Sequence, residues 1–452
     1  MRKVFKAAAW IVRVLLLLFI VAFAWGRLRP PAPAQAEALK RLQPSPAPAG
    51  HNAWATLWLQ DYDVPIDRVD AVYAQERAHL QAWLAQLPAD ATAAPDYVPL
   101  AAQGFQKRPS LTADENQLLC SNRDEDCLAK VRAQAVPLHA LLARQSARLA
   151  SLQALTGDDA LWDDLSISPQ TPLPGFGTAM KLLLTAPALD FVEGRQAQAL
   201  DAICTQAATV RRLHAHTNSL VGAMVAVAWM DGIERELAGM LAALPVDEAI
   251  PVACTQAFAP VVAADVSLCA PMRHEYDRAA NAMAVVDPSR TSHWATRLRL
   301  RLVVDPRGTR RLIAPTYAWA CQRDVLAAQM SDRSLAATSM PPVRYDLFDA
   351  VSNTMGLILA RIAPPDYAKY LQRNEDYAAG LRLMAWLLQH RSDTAGAAGW
   401  PHRLQQALPA LQQGGNRHFA IDPDGRHVWM DYHAKRPGHE ALVSAIPNLV
   451  AD

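Results

Sequence analysis

The sequence predicts a mainly α-helical body of irregularly stacked helices (helical hairpins), with one or two small β-hairpins, behind an N-terminal transmembrane helix. Three observations predict it. Ala7 to Trp25 is a continuous apolar run, broken only by Arg13. Apolar residues recur at helical spacing through most of the remaining chain. Strict alternation beside turn chemistry is confined to two short stretches, near 297–313 and 417–433.

The first run is close to the ~20 residues that cross a bilayer as a helix. Arg13 sits near its start, where it would snorkel toward the N-terminal side. Arg2, Lys3 and Lys6 precede the run without an acid. The positive-inside rule therefore keeps residues 1–6 in the cytoplasm and sends the rest across the membrane. Residues 7–25 are the expected anchor. A cleaved signal peptide is the competing reading, because Ala22-Phe23-Ala24 and Ala34-Gln35-Ala36 both fit a small-x-small cleavage pattern. Trp25, suited to a membrane interface, favours the anchor. Both readings place the body outside the cytoplasm, in a bacterial periplasm, with the inner membrane as its first partner. Residues 26–51 are rich in proline and alanine and read as a semi-extended spacer. The helical body then runs over 52–452, with a possible internal boundary near 290–310.

Composition narrows the function. The chain holds 44 basic and 43 acidic side chains, so no overall charge favours nucleic acid. It is 51% hydrophobic, enough for a large core. Ser219 to Trp229 is too short to span and reads as a core helix. The 6 cysteines all come after the anchor and form no CxxC pair. Thioredoxin-like and zinc-ribbon chemistry are thereby disfavoured, and up to three disulfides are expected in an oxidising compartment. Cys120 and Cys127 enclose a charged loop and should pair. Pro260 between Cys254 and Cys269 suggests a second local clip, which leaves Cys204 with Cys321.

Along the body, Trp54, Trp58 and Tyr62 stand at helical spacing and read as core, with a sugar-stacking platform as the alternative. Pro65 begins a helix to about Leu87, with Ile66, Val69, Val72 and Tyr73 on its apolar side. The acids of the 120–127 loop lack the alternation and glycine of an EF-hand, so calcium is not favoured. Leu128–Leu155 reads as helix with a break near Pro137. Another helix is expected from Thr178 to about Ala186. Gly194–Leu244 reads as a helical hairpin without a repeat period. Shorter helices are expected over 246–259 and 272–286. Arg297–Val304 alternates, and Asp305-Pro306-Arg307-Gly308 resembles a turn, so a hairpin with Thr309–Ile313 is expected, with helix open as the alternative. Further helices are expected over 317–330, 346–362, 365–390 and 400–411. The Asp422-Pro423-Asp424-Gly425 turn predicts the C-terminal hairpin.

The blocks SLVGAMVAVA at Ser219, MRHEYDRA at Met272, Asn353-Thr354-Met355-Gly356 and PPDYAKYLQRNEDYAAGLRLMAWLL resemble an uncharacterised family of single-span envelope proteins of proteobacteria. The resemblance implies an envelope location and a helical fold, and no activity.

No HExxH, GxSxG, Walker or GxGxxG motif stands in a convincing context, and no cofactor is expected. His214 and His216, two apart on a helix, face different ways and do not suit one metal. His418, His427 and His433 approach each other only if the hairpin places them on adjacent strands. Arg273, His274 and Glu275, with Asp277, form the densest polar cluster on an apolar helix. Glu275 would be its general acid or base, although a salt-bridged helix face is the simpler reading. Arg297, Arg299, Arg301, Arg307, Arg310 and Arg311 would meet phospholipid headgroups or an anionic glycan, or simply solvate a hairpin. The function expected is a non-enzymatic binding or scaffolding protein for another envelope protein, with a hydrolase around Glu275 as the alternative.

Overall fold

Two long helices, Gln196–Ala215 and Leu220–Ala243, form the centre of the body. They are seen in a computed structural model that describes residues 2–87, 96–165, 171–245, 247–283, 294–335, 340–362, 366–391, 396–436 and 439–447. Their alanine, leucine and methionine content favours helix. Ser219 caps the second by accepting from the Gly222 amide at 3.2 Å. Ala223, Ala226, Met230, Ile233 and Leu237 are all buried along it. Phe176–Val192 packs on one side and Tyr367–His390 on the other. The 219–229 stretch is thus a core helix, as its length predicts.

Buried apolar residues fall into two clusters. The larger runs from Trp54, Leu138, Leu182, Ile203 and Ile233 to Leu387, Trp400, Met430 and Leu442, so it joins the first half of the body to the C-terminal helices and sheet. The second joins Ala38 and Leu42 to Met272, Ile313, Tyr317 and Leu371. The 220–243 and 367–390 helices contribute to both clusters, so they tie the two regions together. Trp54 and Tyr62 are buried and Trp58 is partly buried, as core residues should be.

Among the described residues, one helix is long and apolar enough to cross a membrane: α1, Arg2–Leu28, whose most apolar window has mean hydropathy 2.6 and no buried residue. It does not end in a free spacer. Gly26 lies where a β-carbon would overlap Ser352 Oγ and the Phe348 carbonyl, so α1 closely approaches the Leu347–Ser352 helix. Arg27 donates to the Val304 carbonyl at 3.1 Å and to the Ser352 carbonyl at 3.2 Å. Arg29 pairs with Asp349 at 2.7 Å and with Asp346. Arg311 donates to the Gly26 and Arg29 carbonyls, placing a cation at the C-terminal end of α1. Pro33–Arg41 is then a helix with a proline in its first turn, and Ala38 and Leu42 bury against the Pro306–Ala318 helix. The expected spacer over 26–51 is therefore largely folded onto the body. Proline starts this helix instead of stiffening an extended chain.

Other expectations change in detail. The hairpin over 297–313 is two helices, Trp294–Val303 and Pro306–Ala318. Asp305 caps the second by accepting from the Arg307 amide, so Asp-Pro is a helix start here and not a turn. Leu128–Leu155 is divided among Cys127–Ala133, Ala135–Arg144 and Ser146–Gln153, with breaks at Gln134 and Gln145. Pro137 lies in a first turn, where its missing amide costs little. Ile66 is exposed in a short 3₁₀ turn ahead of the Val69–Gln86 helix. The expected helix over 246–259 is reduced to Val252–Ala257, and that over 272–286 begins earlier, as Cys269–Met283. Its residues 284–286, like Val246, lie outside the described residues. The C-terminal hairpin forms from β1 (Phe419–Ile421) and β2 (His427–Arg436), and β3 (His439–Ala445) extends it to an antiparallel sheet in the order β1-β2-β3.

Three disulfides close the fold. Cys120–Cys127 is the expected clip. The other two pairings differ from expectation: Cys204 joins Cys254, and Cys269 joins Cys321. The Val252–Ala257 helix packs beside Gln196–Ala215, and the 3₁₀ turn Trp319–Cys321 meets the start of the Cys269–Met283 helix. Tertiary neighbours, not chain proximity, chose the partners.

Candidate binding cleft

The polar residues singled out in the sequence do not converge. On the Cys269–Met283 helix, Arg273 donates to the Arg41 carbonyl at 2.7 Å and to Ser45 Oγ at 2.6 Å, fastening the N-terminal segment. His274 is held neutral, its pKa lowered to about 4 by burial and then by Arg278. Glu275 lies 3.8 Å from Arg278, and burial raises its pKa. Arg278 also lies 3.9 Å from Asp163, a residue sequence reasoning missed, whose pKa burial raises to about 6.

The histidines also separate. His214 is buried with its ring 4.5 Å from Tyr377, and burial lowers its pKa to about 4, while His216 is exposed. His427 hydrogen-bonds Asp422 at 2.8 Å. Ligand atoms of Asp422, Asp424 and His427 lie within 4.8 Å of one another. Asp422 and Asp424 already accept the turn's own amides from His427 and Arg426, which accounts for the cluster as turn closure. His418 stands 3.9 Å from Asp431, and His433 stands 3.6 Å from Asp332. In the 120–127 loop, Asp124 accepts from Ser121 and Lys130, and Asp126 caps the next helix. Of the arginine group, Arg311 serves the α1 junction and Arg310 donates to Asn281 at 3.1 Å. Arg299, Arg301 and Arg307 are exposed on two different helices, and the Arg297 side chain lies outside the described set.

A cleft forms instead where the 220–243 and 367–390 helices meet β2. It holds about 580 Å³ of empty space, counting the part open to solvent. Asp231, Glu234, Arg373, Asp376, Tyr377 and Tyr432 line its polar side, and Met224 and Val227 its apolar side. Helical spacing explains the first pair: Asp231 and Glu234 are three apart and share a face. Tyr432, on β2, donates to Asp231, and Arg235 lies 3.6 Å from that carboxylate.

Among the described residues, Glu234 lacks such a partner. It is 3% exposed, and its Oε1 makes no hydrogen bond within the chain. Its other oxygen rests against Gly380, where a β-carbon would overlap it, so the facing helix needs glycine there. Burial, then the neighbouring Asp231, raises its pKa well above the usual carboxylate range. The Tyr377 hydroxyl is likewise buried without a partner. Buried polar groups normally find partners, and these two, among several unmatched ones in the described residues, lie on the cleft wall.

Behind the cleft lies a hydrogen-bonded charge network centred on Arg417. Arg417 is buried and forks onto Asp332 through two 2.8 Å bonds, and it donates to Asp376 at 2.7 Å and to the Asp431 carbonyl at 2.6 Å. Asp376 also accepts from the His433 and Ala434 amides, at 2.7 and 3.0 Å. This network fixes β2 against the 367–390 helix and so holds Tyr432 over Asp231. In sequence, the only sign of the cleft is the acids inside the apolar stretch AWMDGIERELAGML, where Glu234 and Glu236 look like an ordinary solvated face. Compared with protein-family models, with curated proteins and with solved structures, the chain shows no match.

Proposed function

We propose that this chain is a membrane-anchored, periplasm-facing helical protein that binds another envelope protein through the cleft beside Glu234. The carrying observation is the pair of buried, unpartnered polar groups on the cleft wall, Glu234 Oε1 and the Tyr377 hydroxyl. Leaving such groups unmatched costs about 1–3 kcal/mol each, so a partner that hydrogen-bonds them gains free energy the isolated chain forgoes. An anchor, three disulfides and a basic N-terminal flank support the location.

The test uses protein purified from membranes with whatever co-purifies identified by mass spectrometry. Glu234→Met removes the carboxyl while keeping volume and burial. The partner should be lost while stability holds or rises, a combination that mere unfolding does not produce. An unchanged set of co-purifying proteins contradicts the cleft as the binding site.

A second reading, an envelope hydrolase around Glu275, draws on one observation. Asp163 and Glu275 flank Arg278, and burial raises the proton affinity of both. Two such carboxyls are a general acid–base pair in principle. Glu275→Gln that folds normally but loses function in the cell favours this reading; loss only in step with stability disfavours it.

A further inference from the structure

The α1 helix is joined to the body by the contacts of Gly26, Arg27, Arg29 and Arg311, so if α1 spans a bilayer the depth of nearby elements follows from helix geometry. Trp25 closes the apolar run and is exposed, as an interfacial tryptophan is. Arg27 is two residues beyond it, roughly 3 Å further along the axis. Yet Arg27 donates to the Arg301 and Val304 carbonyls, at the C-terminal end of the Trp294–Val303 helix, and to the Ser352 carbonyl. With α1 across a bilayer, those three backbone groups lie at the depth of the lipid headgroups.

The elements leading away from that junction carry apolar side chains that no described residue covers. Trp294, Leu298 and Leu302 are 73%, 52% and 51% exposed, and four-residue spacing sets them on one face of their helix. Leu347, at the start of the 347–352 helix, is 71% exposed. Met355 and Ile358, three apart on the Thr354–Ile362 helix, are 37% and 44% exposed. Arg299, Arg301 and Arg361 stand exposed beside them. Apolar faces with tryptophan and leucine, edged by arginine, match helices that lie in the plane of a bilayer interface.

We propose that the 294–303 helix, with Leu347 and the 354–362 helix, is seated in the headgroup layer of the membrane that α1 spans, its leucines toward the acyl chains and its arginines toward anionic lipid phosphates. The body then does not hang on a tether. It lies on the membrane in one pose, with the anchor and the interfacial helices as a single footing. Arg299 and Arg301, which the sequence offers to lipid headgroups, an anionic glycan or solvent, thereby acquire a lipid partner, because they lie on a helix next to the anchor.

This inference rests on α1 spanning the bilayer, and the experiment separates the two. The full-length protein is reconstituted in vesicles of phosphatidylcholine with phosphatidylglycerol as the anionic component. A benzophenone amino acid replaces Leu17, Leu298, Leu302 or Val136, all of them exposed. Val136 is the control, on the Ala135–Arg144 helix of the body and remote in the chain from the anchor junction. After irradiation, adducts are read by mass. Phospholipid adducts are expected at Leu17, Leu298 and Leu302, and not at Val136. No lipid adduct at Leu17 overturns the anchor. Adducts at Leu17 without lipid adducts at Leu298 and Leu302, or with polypeptide adducts there instead, overturn the interfacial seat alone.

Discussion

Removing the Arg417 guanidinium should be among the most destabilising single changes in the body. Its side chain is fully buried, and it is the cation that both Asp332 and Asp376 face. In Arg417→Met, Asp332 keeps Arg382 at 3.2 Å, while among the described residues Asp376 keeps two backbone amides. Breaking a buried pair by deleting one partner costs about 3–5 kcal/mol, because a charge is stranded out of water. That is a large part of a typical domain stability of about 5–15 kcal/mol. The two carboxylates respond to pH in opposite senses. Asp376 is raised, since burial outweighs Arg417, whereas Asp332 is lowered by Arg417, His433 and Arg382 together despite burial. A lowered folded pKa stabilises above the ordinary carboxylate value and loses that stabilisation as pH falls through the folded value. The gap between wild type and Arg417→Met should therefore narrow in acid. Urea unfolding followed by circular dichroism, with disulfides intact, measures it. Asp376→Asn in the Arg417→Met background should cost less than the two changes summed, since it removes the stranded charge. A loss below about 1 kcal/mol for Arg417→Met, or strict additivity of the pair, refutes the network as a source of stability.

Three further outcomes rest on the same geometry. Replacing each disulfide by an alanine pair should cost about 4 kcal/mol for Cys204–Cys254 and Cys269–Cys321, separations 50 and 52, and about 2 kcal/mol for Cys120–Cys127, separation 7, in the chain-entropy model; a short clip that matters as much as either long one contradicts this ranking. Glu375 is buried with its pKa pushed up to about 9, chiefly by burial, so the native state holds a proton that the unfolded chain releases. Stability should fall as pH rises from the ordinary glutamate range toward that value, and Glu375→Gln should flatten the slope; denaturation curves at about pH 5 and about pH 8.5 decide it, and parallel behaviour of the variant argues against a protonated Glu375. Gly380→Ala, which in an exposed helix gains up to about 1 kcal/mol, should instead destabilise here because the new methyl overlaps the Glu234 carboxylate, and Glu234→Ala, which vacates that space, should relieve part of the loss. A stabilised Gly380→Ala protein would show the two helices are not in this contact.

Helix identity is legible wherever burial and period agree. Gln196–Ala215, Leu220–Ala243 and Tyr367–His390 obey their apolar spacing, and the Asp-Pro-Asp-Gly turn locates the C-terminal hairpin. The 297–313 stretch is locally ambiguous: Leu-Arg alternation fits a strand and a helix face equally, and the Asp305 cap decides between them. Disulfide partners are not legible beyond the local clip, because pairing depends on which helices touch. The cleft is hidden for a related reason. Glu234 stands out only once Gly380 and Tyr377 face it from a helix more than a hundred residues away. Conversely, Arg273, His274 and Glu275 are neighbours in sequence that successive helical positions turn toward different partners. The proline-rich composition of 26–51 suggests an extended linker if proline is only a breaker, whereas Pro33 opens a helix whose Ala38 and Leu42 are core.

The location of the body carries the disulfides, the interfacial seat and the proposed partner together, and one fusion tests it. A reporter that is active only outside the cytoplasm, joined after Asp452, should be active, because the basic flank of Arg2, Lys3 and Lys6 precedes the anchor. Activity at that junction from a reporter that works only in the cytoplasm would contradict it.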